Sequence, residues 1–324
     1  MDRIPALDGL RGIAILIVVV FHAWPAVLPA GGYGVTLFFV LSGFLITGIL
    51  LRDRDSGRVD LGRFYWNRAV RLLPTLMLLV VIYLLVFGHW GPVIWTVTYA
   101  SNYGQIAGAE VGRLSHTWSL AVEEHFYVLW PLIIAVLRPS LRLKVVVGLL
   151  AIATSWRIWM TATGEFNRVN LGTDAVAFAL LAGCVLAVLH HNDRVPAVRP
   201  QWTMLGVFGI IVAAILVPTR SQAFLWVSIP VVALSIVAVA GSLRGFRPLE
   251  SRILRWFGLV SYGLYLWHVP FLWSRVPVSP IVLIAAALLI TWFSYRFIEL
   301  PLRRRFHRSA LDELISGDRS PAAV

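Results

Sequence analysis

The feature of this chain that best fits a chemical role is the spacing of one arginine and one histidine at its first apolar segment. Arg11 and His22 stand eleven residues apart, and the apolar run 13–30 surrounds the histidine. Eleven residues make about three turns of α-helix, so the two side chains share a face and lie about 16 Å apart along the axis. An ionisable side chain inside a membrane span usually marks a site or a proton path. We expect Arg11 to hold an anionic ligand at the membrane surface and His22 to meet its far end within the membrane.

A second polar cluster begins a later apolar segment, which reads HTWSLAVEEHFY over residues 116–127. Glu124 and Tyr127 are three residues apart and share one face of the expected helix. That helix is expected to run antiparallel to the first, so Glu124 and His22 reach similar depths. Because a carboxylate orients or charges a neighbouring imidazole, we predict that Glu124 orients His22 and that Tyr127 shapes the pocket. A purely structural carboxylate is the alternative.

Paired arginines follow the second apolar segment, in the string FYWNRAVR. Arg68 and Arg71 are three residues apart and share a face if this string is helical. Together with Arg11 they are predicted to form a cytoplasmic cluster for phosphate groups, which arginine binds through two parallel hydrogen bonds. An equally good interpretation is that they are ordinary arginines that set membrane topology. The spacing does not choose between the two.

Five further residues are candidates for contacting a substrate. They are Asp8, His116, Trp118, Ser119 and His268. Asp8 is expected just before the first helix, where it caps that helix or pairs with Arg11. His268 stands in an apolar segment before a proline that would kink a helix. The small pair Ser42–Gly43 is expected to serve helix packing rather than ligand contact.

Composition indicates a membrane protein, because 59% of the 324 residues are hydrophobic and only 14% are charged. The formal net charge is +12. In a soluble chain this charge would point to nucleic acid, but no RNA- or DNA-binding motif is present, so no nucleic-acid partner is expected. The single cysteine, Cys184, and histidines without metal-ligand spacing lead us to expect no metal site.

Recurrent apolar runs predict an all-α polytopic membrane protein with ten transmembrane helices. The predicted spans are 12–30, 33–51, 70–88, 118–137, 144–162, 172–190, 203–218, 223–241 and two helices within 256–299 that divide near Pro277 and Pro280. The segment 91–108 is rich in Gly, Ser, Asn and Gln. It is predicted to be re-entrant or interfacial rather than a full span.

The loop arginines support this count. With the N-terminus inside, 22 basic residues fall on one side of the membrane and 4 on the other. The positive-inside rule assigns the richer side to the cytoplasm. We therefore predict cytoplasmic N- and C-termini, an uncleaved first helix and a multi-pass location in the inner (cytoplasmic) membrane. The membrane domain is expected over 1–308, followed by a short polar, disordered tail at 309–324.

Taken together, these motifs resemble the acyltransferase family 3 of membrane acyltransferases. The resemblance runs in order through LDGLRGIAILIVVVFHA, FFVLSGFLIT, FYWNRAVRLLP, HTWSLAVEEHFYVLWP and SYGLYLWHVP. It places the family's arginine-to-histidine, paired-arginine and glutamate-to-tyrosine motifs on Arg11 and His22, on Arg68 and Arg71, and on Glu124 and Tyr127. Many members carry an arginine and an aspartate in the segment that matches 171–183, where this chain has Val176 and Phe178.

The resemblance implies a ten-helix membrane core that moves an acyl group, mostly acetyl, from cytoplasmic acyl-CoA to a hydroxyl acceptor. The acceptor is a carbohydrate, a glycolipid or a related small molecule, and membrane lipids surround the protein. The CoA phosphates are expected at Arg68, Arg71 and Arg11, and the pantetheine arm along the face that leads to His22. His22 then either accepts the acyl group as a nucleophile or deprotonates the acceptor hydroxyl as a general base.

Other classes of function stay open at this point. A proton-coupled transporter of an anionic solute would use His22 and Glu124 as a proton relay and the arginines to bind the solute. No inverted repeat of the kind found in transporters is visible in the sequence. A passive scaffold would be insensitive to the loss of His22. Within the enzyme class, the sequence does not fix the length of the acyl chain.

Overall fold

The computed structural model describes residues 4–57, 59–274 and 276–306, and all regular secondary structure in these residues is helical. In chain order the α-helices are α1 (Pro5–Ala23), α2 (Gly32–Asp55), α3 (Leu61–Phe87), α4 (Trp90–Val97), α5 (Ser101–Ile106), α6 (Trp118–Val136), α7 (Pro139–Thr163), α8 (Phe166–Leu171), α9 (Thr173–His191), α10 (Pro200–Leu216), α11 (Gln222–Ser242), α12 (Arg252–Leu272), α13 (Pro280–Ser294) and α14 (Leu300–Phe306). Two 3₁₀ helices, Gly112–Thr117 and Arg247–Glu250, and a π-helical turn, Tyr295–Glu299, lie between them. The predicted tail at 309–324 lies outside the described residues.

Among the described residues, eight helical segments are long and apolar enough to cross a membrane. They are Pro5–Ala23, Gly32–Asp55, Leu61–Phe87, Gly112–Val136, Pro139–Thr163, Phe166–His191, Gln222–Ser242 and Pro280–Phe306. The 17-residue α10 and the 21-residue α12 occupy the two remaining predicted positions. The prediction of an all-α polytopic membrane protein is confirmed, and the side on which the termini lie stays a prediction.

The polar segment 91–108 does not form a span. It folds into α4, of 8 residues, and α5, of 6 residues. At about 1.5 Å of rise per residue, neither helix approaches the thickness of a bilayer. Tyr99 separates them with a φ of 53°, a left-handed backbone conformation that α-helix cannot accommodate.

The first helix lies nearer the N-terminus than the apolar run 13–30 predicts. It begins at Pro5, whose fixed φ suits the first turn of a helix. It ends at Ala23, two residues before Pro25, which cannot continue it. Asp8 is therefore inside the first turn rather than before the helix, so the predicted capping role is wrong. His22 lies in the last turn of a complete span, not in its middle.

Glycines let the helices that frame the site pack closely. α1 packs against α12 and α2, and α2 packs against α9. A Cβ atom on Gly12 would overlap the backbone carbonyl of Leu254 in α12. A Cβ atom on Gly43 would similarly overlap the carbonyl of Leu180 in α9. Small residues allow such approach between membrane helices, which confirms the packing role predicted for Gly43.

The short helices pack against one another and against α12. The 3₁₀ helix Gly112–Thr117 contacts α4, α5 and α12, and α5 also contacts α8. The ring of Trp273, just beyond α12, lies 5.9 Å from the ring of His22, measured between centroids. His22 is thus covered by protein although its own helix ends one residue later.

Candidate active site

Two cavities lie towards opposite ends of α1. One has a volume of about 240 Å³ and includes Arg11 in its lining; it is called the Arg11 cavity here. The other has a volume of about 210 Å³ and includes His22; it is called the His22 cavity. Val35, Phe39 and Tyr265 line both, so these three side chains form a wall between them. The helix that bears Arg11 and His22 therefore connects the two cavities.

Arginines give the Arg11 cavity a positive lining. Arg68 and Arg71 line it together with Arg11, so the structure brings the three arginines of the predicted cluster together. Arg71 is exposed, and the buried Nε of Arg11 has no hydrogen-bond partner. Within the described part of the chain, neither of these two arginines makes a salt bridge. Cations without carboxylate partners beside a cavity are suited to bind an anion.

Arg68 is held differently, by Glu124. Its Nη2 lies 2.6 Å from Oε1 of Glu124, and its Nε donates to the same oxygen over 3.1 Å. Its guanidinium carbon also lies 3.2 Å from the centre of the Tyr127 ring. The prediction that Glu124 orients His22 is therefore wrong. The reason is that helix α3 places a permanent cation beside this carboxylate, and a guanidinium is a stronger partner than a neutral imidazole.

Glu123, rather than Glu124, lines the Arg11 cavity. Ser42 donates a hydrogen bond of 2.7 Å to Oε1 of Glu123 and is also hydrogen-bonded to the hydroxyl of Tyr127. Since the single proton of Ser42 goes to the carboxylate, the Tyr127 hydroxyl donates to Ser42. The packing role expected of Ser42–Gly43 thus holds for the glycine, whereas Ser42 lines the cavity. The signal in the sequence was the four-residue spacing of Glu123 and Tyr127, which places them on one helix face.

Three histidines from separate parts of the chain meet at the His22 end. The ring centroids of His22 and His268 are 4.8 Å apart, and those of His116 and His268 are 5.4 Å apart. His268 is fully buried, whereas His22 and His116 both line the His22 cavity. The sequence places these histidines in three different segments, and only the packing of α1, α12 and the 3₁₀ helix Gly112–Thr117 brings them together.

Backbone carbonyls fix which nitrogen of each ring bears a proton. Nδ1 of His22 lies 2.9 Å from the carbonyl oxygen of Val18. Nδ1 of His268 lies 2.7 Å from the carbonyl of Tyr265, and Nε2 of His116 lies 3.1 Å from that of Leu266. A carbonyl can only accept, so each of these nitrogens donates its N–H. In the neutral imidazoles the opposite nitrogens therefore keep their lone pairs, and the one on His22 is Nε2.

Tyr265 joins the two cavities through hydrogen bonds. Its hydroxyl donates to the carbonyl oxygen of His116 over 2.8 Å and lies 2.6 Å from Oγ of Ser119. Because the tyrosine has only one proton to donate, Ser119 donates to the tyrosine oxygen. Tyr265, one residue of the separating wall, is thus hydrogen-bonded on one side to Ser119, which lines the Arg11 cavity, and on the other to His116, which lines the His22 cavity.

The five candidate substrate-binding residues fall into three groups. His116 and Trp118 line the His22 cavity. Ser119 lines the Arg11 cavity. Asp8 and His268 line neither cavity, and their predicted contact with a substrate stays a prediction. His268 packs behind His22, because α12 turns its ring towards α1 rather than towards open space.

A buried arginine of the His22 cavity lies outside all of the predicted motifs. Arg157, in the apolar helix α7, is 1% exposed and lines this cavity. An arginine within an apolar span was the signal that could have indicated it. Val176 and Phe178, which stand where many family members have charged residues, also line the His22 cavity. In the described residues, no group of three or more His, Cys, Asp or Glu side chains could hold a metal ion.

Comparison with known proteins assigns the chain to a family. The family profile described as "Acyltransferase domain" matches residues 4–298. The peptidoglycan O-acetyltransferase OatA of Listeria monocytogenes is 31% identical over 93% of this chain and 56% of its own length. The putative peptidoglycan O-acetyltransferase YrhL of Bacillus subtilis is 32% identical over 94% of this chain and 56% of its own length. The O-acetyltransferase OatA of Staphylococcus aureus is 29% identical over 93% of this chain and 57% of its own length.

The chain thus spans a little over half the length of the curated relatives it matches. No solved structure matches it. The family match covers α1 to α13 and every residue that lines the two cavities. The ordered motifs and this match agree, and the chain belongs to the acyltransferase family 3.

Proposed function

We propose that this protein is an integral-membrane O-acetyltransferase of the inner membrane. It transfers an acetyl group from acyl-CoA to a hydroxyl of a carbohydrate or glycolipid acceptor. The observation that supports this most is the pair of cavities divided by Tyr265, with unpaired arginines in one and a histidine lone pair in the other. Donor and acceptor therefore have separate sites, and the acyl group has a short path between them.

The Arg11 cavity is the proposed site of the donor. Arg11 and Arg71 have no carboxylate partner among the described residues, so the diphosphate and phosphate groups of CoA would supply the missing anions. Arg68, fixed by Glu124, presents a pre-oriented guanidinium beside them. We propose that this cavity opens at the cytoplasmic face, where acyl-CoA is found, because the predicted orientation puts the arginine-rich loops on that side. The pantetheine arm then extends along α1 towards Tyr265.

His22 is the proposed reacting residue, through Nε2. In the covalent route, Nε2 attacks the thioester carbonyl, the C–S bond breaks, and CoA leaves as the thiolate, so the acyl-imidazolium is positively charged. The acceptor hydroxyl then attacks the acyl group, gives its proton to the thiolate and releases the neutral imidazole. In the direct route, Nε2 takes the proton of the acceptor hydroxyl while the acceptor oxygen attacks the thioester; the C–S bond breaks, and the imidazolium returns the proton to the leaving thiolate. Both routes give an O-acyl ester and free CoA, and the carbonyl of Val18 stabilises the charged ring in each.

The acceptor is proposed to enter the His22 cavity from the opposite face. His22 lies in the last turn of α1, so an acceptor outside the membrane can reach His22 without crossing the membrane. His116, Trp118 and the polar side chains of the short helices surround this space. Two of the relatives have peptidoglycan O-acetyltransferase in their names. A carbohydrate hydroxyl is accordingly the acceptor class that we propose here.

The test is release of CoA thiol by purified protein in lipid nanodiscs, with acetyl-CoA and soluble peptidoglycan fragments. We expect wild-type protein to release thiol and to acetylate the glycan. His22→Gln should lower this rate by about 100-fold to 10,000-fold, the contribution typical of a general base or nucleophile. His89→Gln is the matched control, because His89 is exposed and lines neither cavity. Label from acetyl-CoA retained on His22 without acceptor would select the covalent route.

The same preparation distinguishes the proposed enzyme from a proton-coupled transporter. A transporter that uses His22 and Glu124 as a relay would move an anionic solute into vesicles without releasing CoA thiol. Absence of thiol release, of glycan acetylation and of acetyl-CoA binding would contradict the proposed function. Equal rates for His22→Gln and wild type would contradict the assigned role of His22.

A further inference from the structure

Arg157 is a buried cation that faces the His22 cavity without a carboxylate partner in the part of the chain that the structure describes. It belongs to the apolar helix α7, is 1% exposed, and lines the same cavity as His22. Among the described residues it makes no salt bridge. Burying a charge without a counter-charge is unfavourable. A residue of this kind in a cavity wall is therefore a candidate to bind an anion.

The contacts of Arg157 hold it in place but leave its charge uncompensated. Nη1 donates to the carbonyl of Val169 over 2.5 Å, and Nη2 donates to Oγ of Ser228 over 3.0 Å and to the carbonyl of Leu225 over 3.4 Å. All three acceptors are neutral. A guanidinium has five N–H groups; three are used here, and the buried Nε has no partner. The guanidinium is thus held in one orientation and has N–H groups that these contacts do not use.

A neighbouring arginine shows what a compensated cation looks like in this region. Arg168, in α8, pairs with both carboxylate oxygens of Asp174 over 2.8 and 2.7 Å. It does not line the His22 cavity. Asp174, close in sequence to the lining residues Leu171 and Val176, is thus committed to Arg168, while the more deeply buried Arg157 makes no salt bridge among the described residues. A ligand is a suitable source of the acid that would complete Arg157.

The rest of the cavity suits a sugar. Asn167 and Asn170 from α8 and Gln105 from α5 supply amide donors and acceptors to the lining. Trp118 and Phe224 supply apolar surface. Convergent amides beside aromatic rings are the groups that fix the orientation of a polar ligand in a pocket. Beside the exposed Arg220, which also lines this cavity, the buried Arg157 adds the ability to select a ligand that carries an oxyanion.

We infer that the His22 cavity binds a hydroxyl acceptor that carries a carboxylate or phosphate, and that Arg157 binds this oxyanion. The inference rests on the proposed function for the identity of the reacting hydroxyl, which lies towards His22. The anion and the hydroxyl would occupy opposite parts of one cavity. Arg157 is thereby assigned as a specificity-determining residue for the acceptor rather than as a reacting group.

The primary test is equilibrium binding, which does not require turnover. The probes are N-acetylmuramic acid, its uncharged methyl ester, N-acetylglucosamine 1-phosphate and N-acetylglucosamine, each with wild-type protein in nanodiscs. We expect at least one anionic sugar to bind about tenfold more tightly than its neutral counterpart, as hydrogen bonds to a charged group allow. Preference for the acid over its ester identifies a carboxylate, and preference for the 1-phosphate over N-acetylglucosamine identifies a phosphate.

Arg157→Gln should abolish that preference while neutral sugars bind as before. Arg157→Lys keeps the charge but loses the planar guanidinium, so we expect an intermediate preference for anionic sugars. This variant replaces Arg157→Gln in the test if the glutamine variant does not fold. Arg168→Gln is the matched control and should leave the preference intact. Equal binding of anionic and neutral sugars by wild type would overturn the inference. So would a preference that survives in folded Arg157→Gln.

The two proposals fail in different ways. If the sugars show the expected Arg157-dependent preference but no CoA thiol is released, the anion site stands and the acetyltransferase proposal fails. If thiol is released and glycan is acetylated without any preference for anionic acceptors, the acetyltransferase proposal stands. In that case Arg157 acts only as a structural tie between α7, α8 and α11.

Discussion

Among the described residues, the Arg11 cavity combines one arginine paired with a carboxylate and two arginines without a salt bridge, whereas the buried arginine of the His22 cavity is held by neutral oxygens. In the first, Glu124 pairs with Arg68, while Arg71 is exposed and free of salt bridges within the described residues. In the second, Arg157 is anchored by two carbonyls and a hydroxyl. The first arrangement suits a highly charged ligand that enters and leaves. The second suits selection of a ligand by one anionic group.

The two cavities also differ in how their polar groups are oriented. Carbonyl oxygens fix the proton positions of the three histidines at the His22 end, so the lone pair of His22 is set before any substrate arrives. At the Arg11 end, Glu124 orients Arg68, whereas Arg11 and Arg71 make no salt bridge within the described residues. Under the proposed function, one end of α1 holds the carrier of the acyl group and the other holds the reacting histidine. Single substitutions in one cavity, or in the wall between the two, test this difference.

Loss of the Glu124–Arg68 pair should have the largest effect. Glu124→Gln removes the carboxylate that pairs with a largely buried guanidinium, and breaking such a pair costs about 3–5 kcal/mol. We expect a clear fall in the thermal stability of the detergent-solubilised protein and weakened acetyl-CoA binding. Glu165→Gln, on the loop before α8, is the control. Unchanged stability of Glu124→Gln would show that this pair does not organise the Arg11 cavity.

Removing an unpaired arginine from the same cavity should affect the donor and not the fold. Arg71→Gln takes away one charge that has no carboxylate partner in the described chain, so unfolding should be unaffected or slightly harder. Loss of one charge-assisted contact, worth about 1.5–3 kcal/mol, should weaken acetyl-CoA binding by at least about tenfold. Titration of acetyl-CoA measures this, with sugar binding in the His22 cavity as the internal control. Weakened sugar binding with normal donor binding would reverse the assignment of the two cavities.

Removing the Tyr265 side chain should join the two cavities and expose the donor site to water. Tyr265→Ala removes a side chain that lines both cavities, so water would reach the donor and acetyl-CoA hydrolysis without acceptor should rise severalfold. The measurement is thiol release in the absence of glycan. Hydrolysis at the wild-type rate would indicate that Val35 and Phe39 suffice to separate the sites.

Tyr265→Phe should have the smallest effect. It keeps the ring but removes the hydroxyl that bonds to His116 and Ser119. A typical net contribution of about 0.5–1.5 kcal/mol for a hydrogen bond predicts a change of about twofold to tenfold in transfer rate. Hydrolysis without acceptor should stay at the wild-type level. A hydrolysis rate as high as that of Tyr265→Ala would show that the hydroxyl, rather than the ring, closes the wall.

The sequence by itself determined the helices and several of their functional faces. Apolar runs and loop arginines predicted the helical segments, and the spacing of Arg68 and Arg71 predicted their common face. These features are local, because helix periodicity and hydrophobic length are properties of neighbouring residues. The boundaries of α1 were missed because an apolar run does not show where a proline ends the helix.

Only the tertiary structure decided which charged and polar groups meet. It paired Glu124 with Arg68 rather than with His22, and it brought His268 behind His22. It also turned Arg157 into the wall of a cavity. These outcomes depend on which helices pack together and at what rotation, and a one-dimensional pattern does not contain that information. In a low-dielectric interior each ionisable group takes the best partner within reach, so packing, rather than spacing, selects the partners.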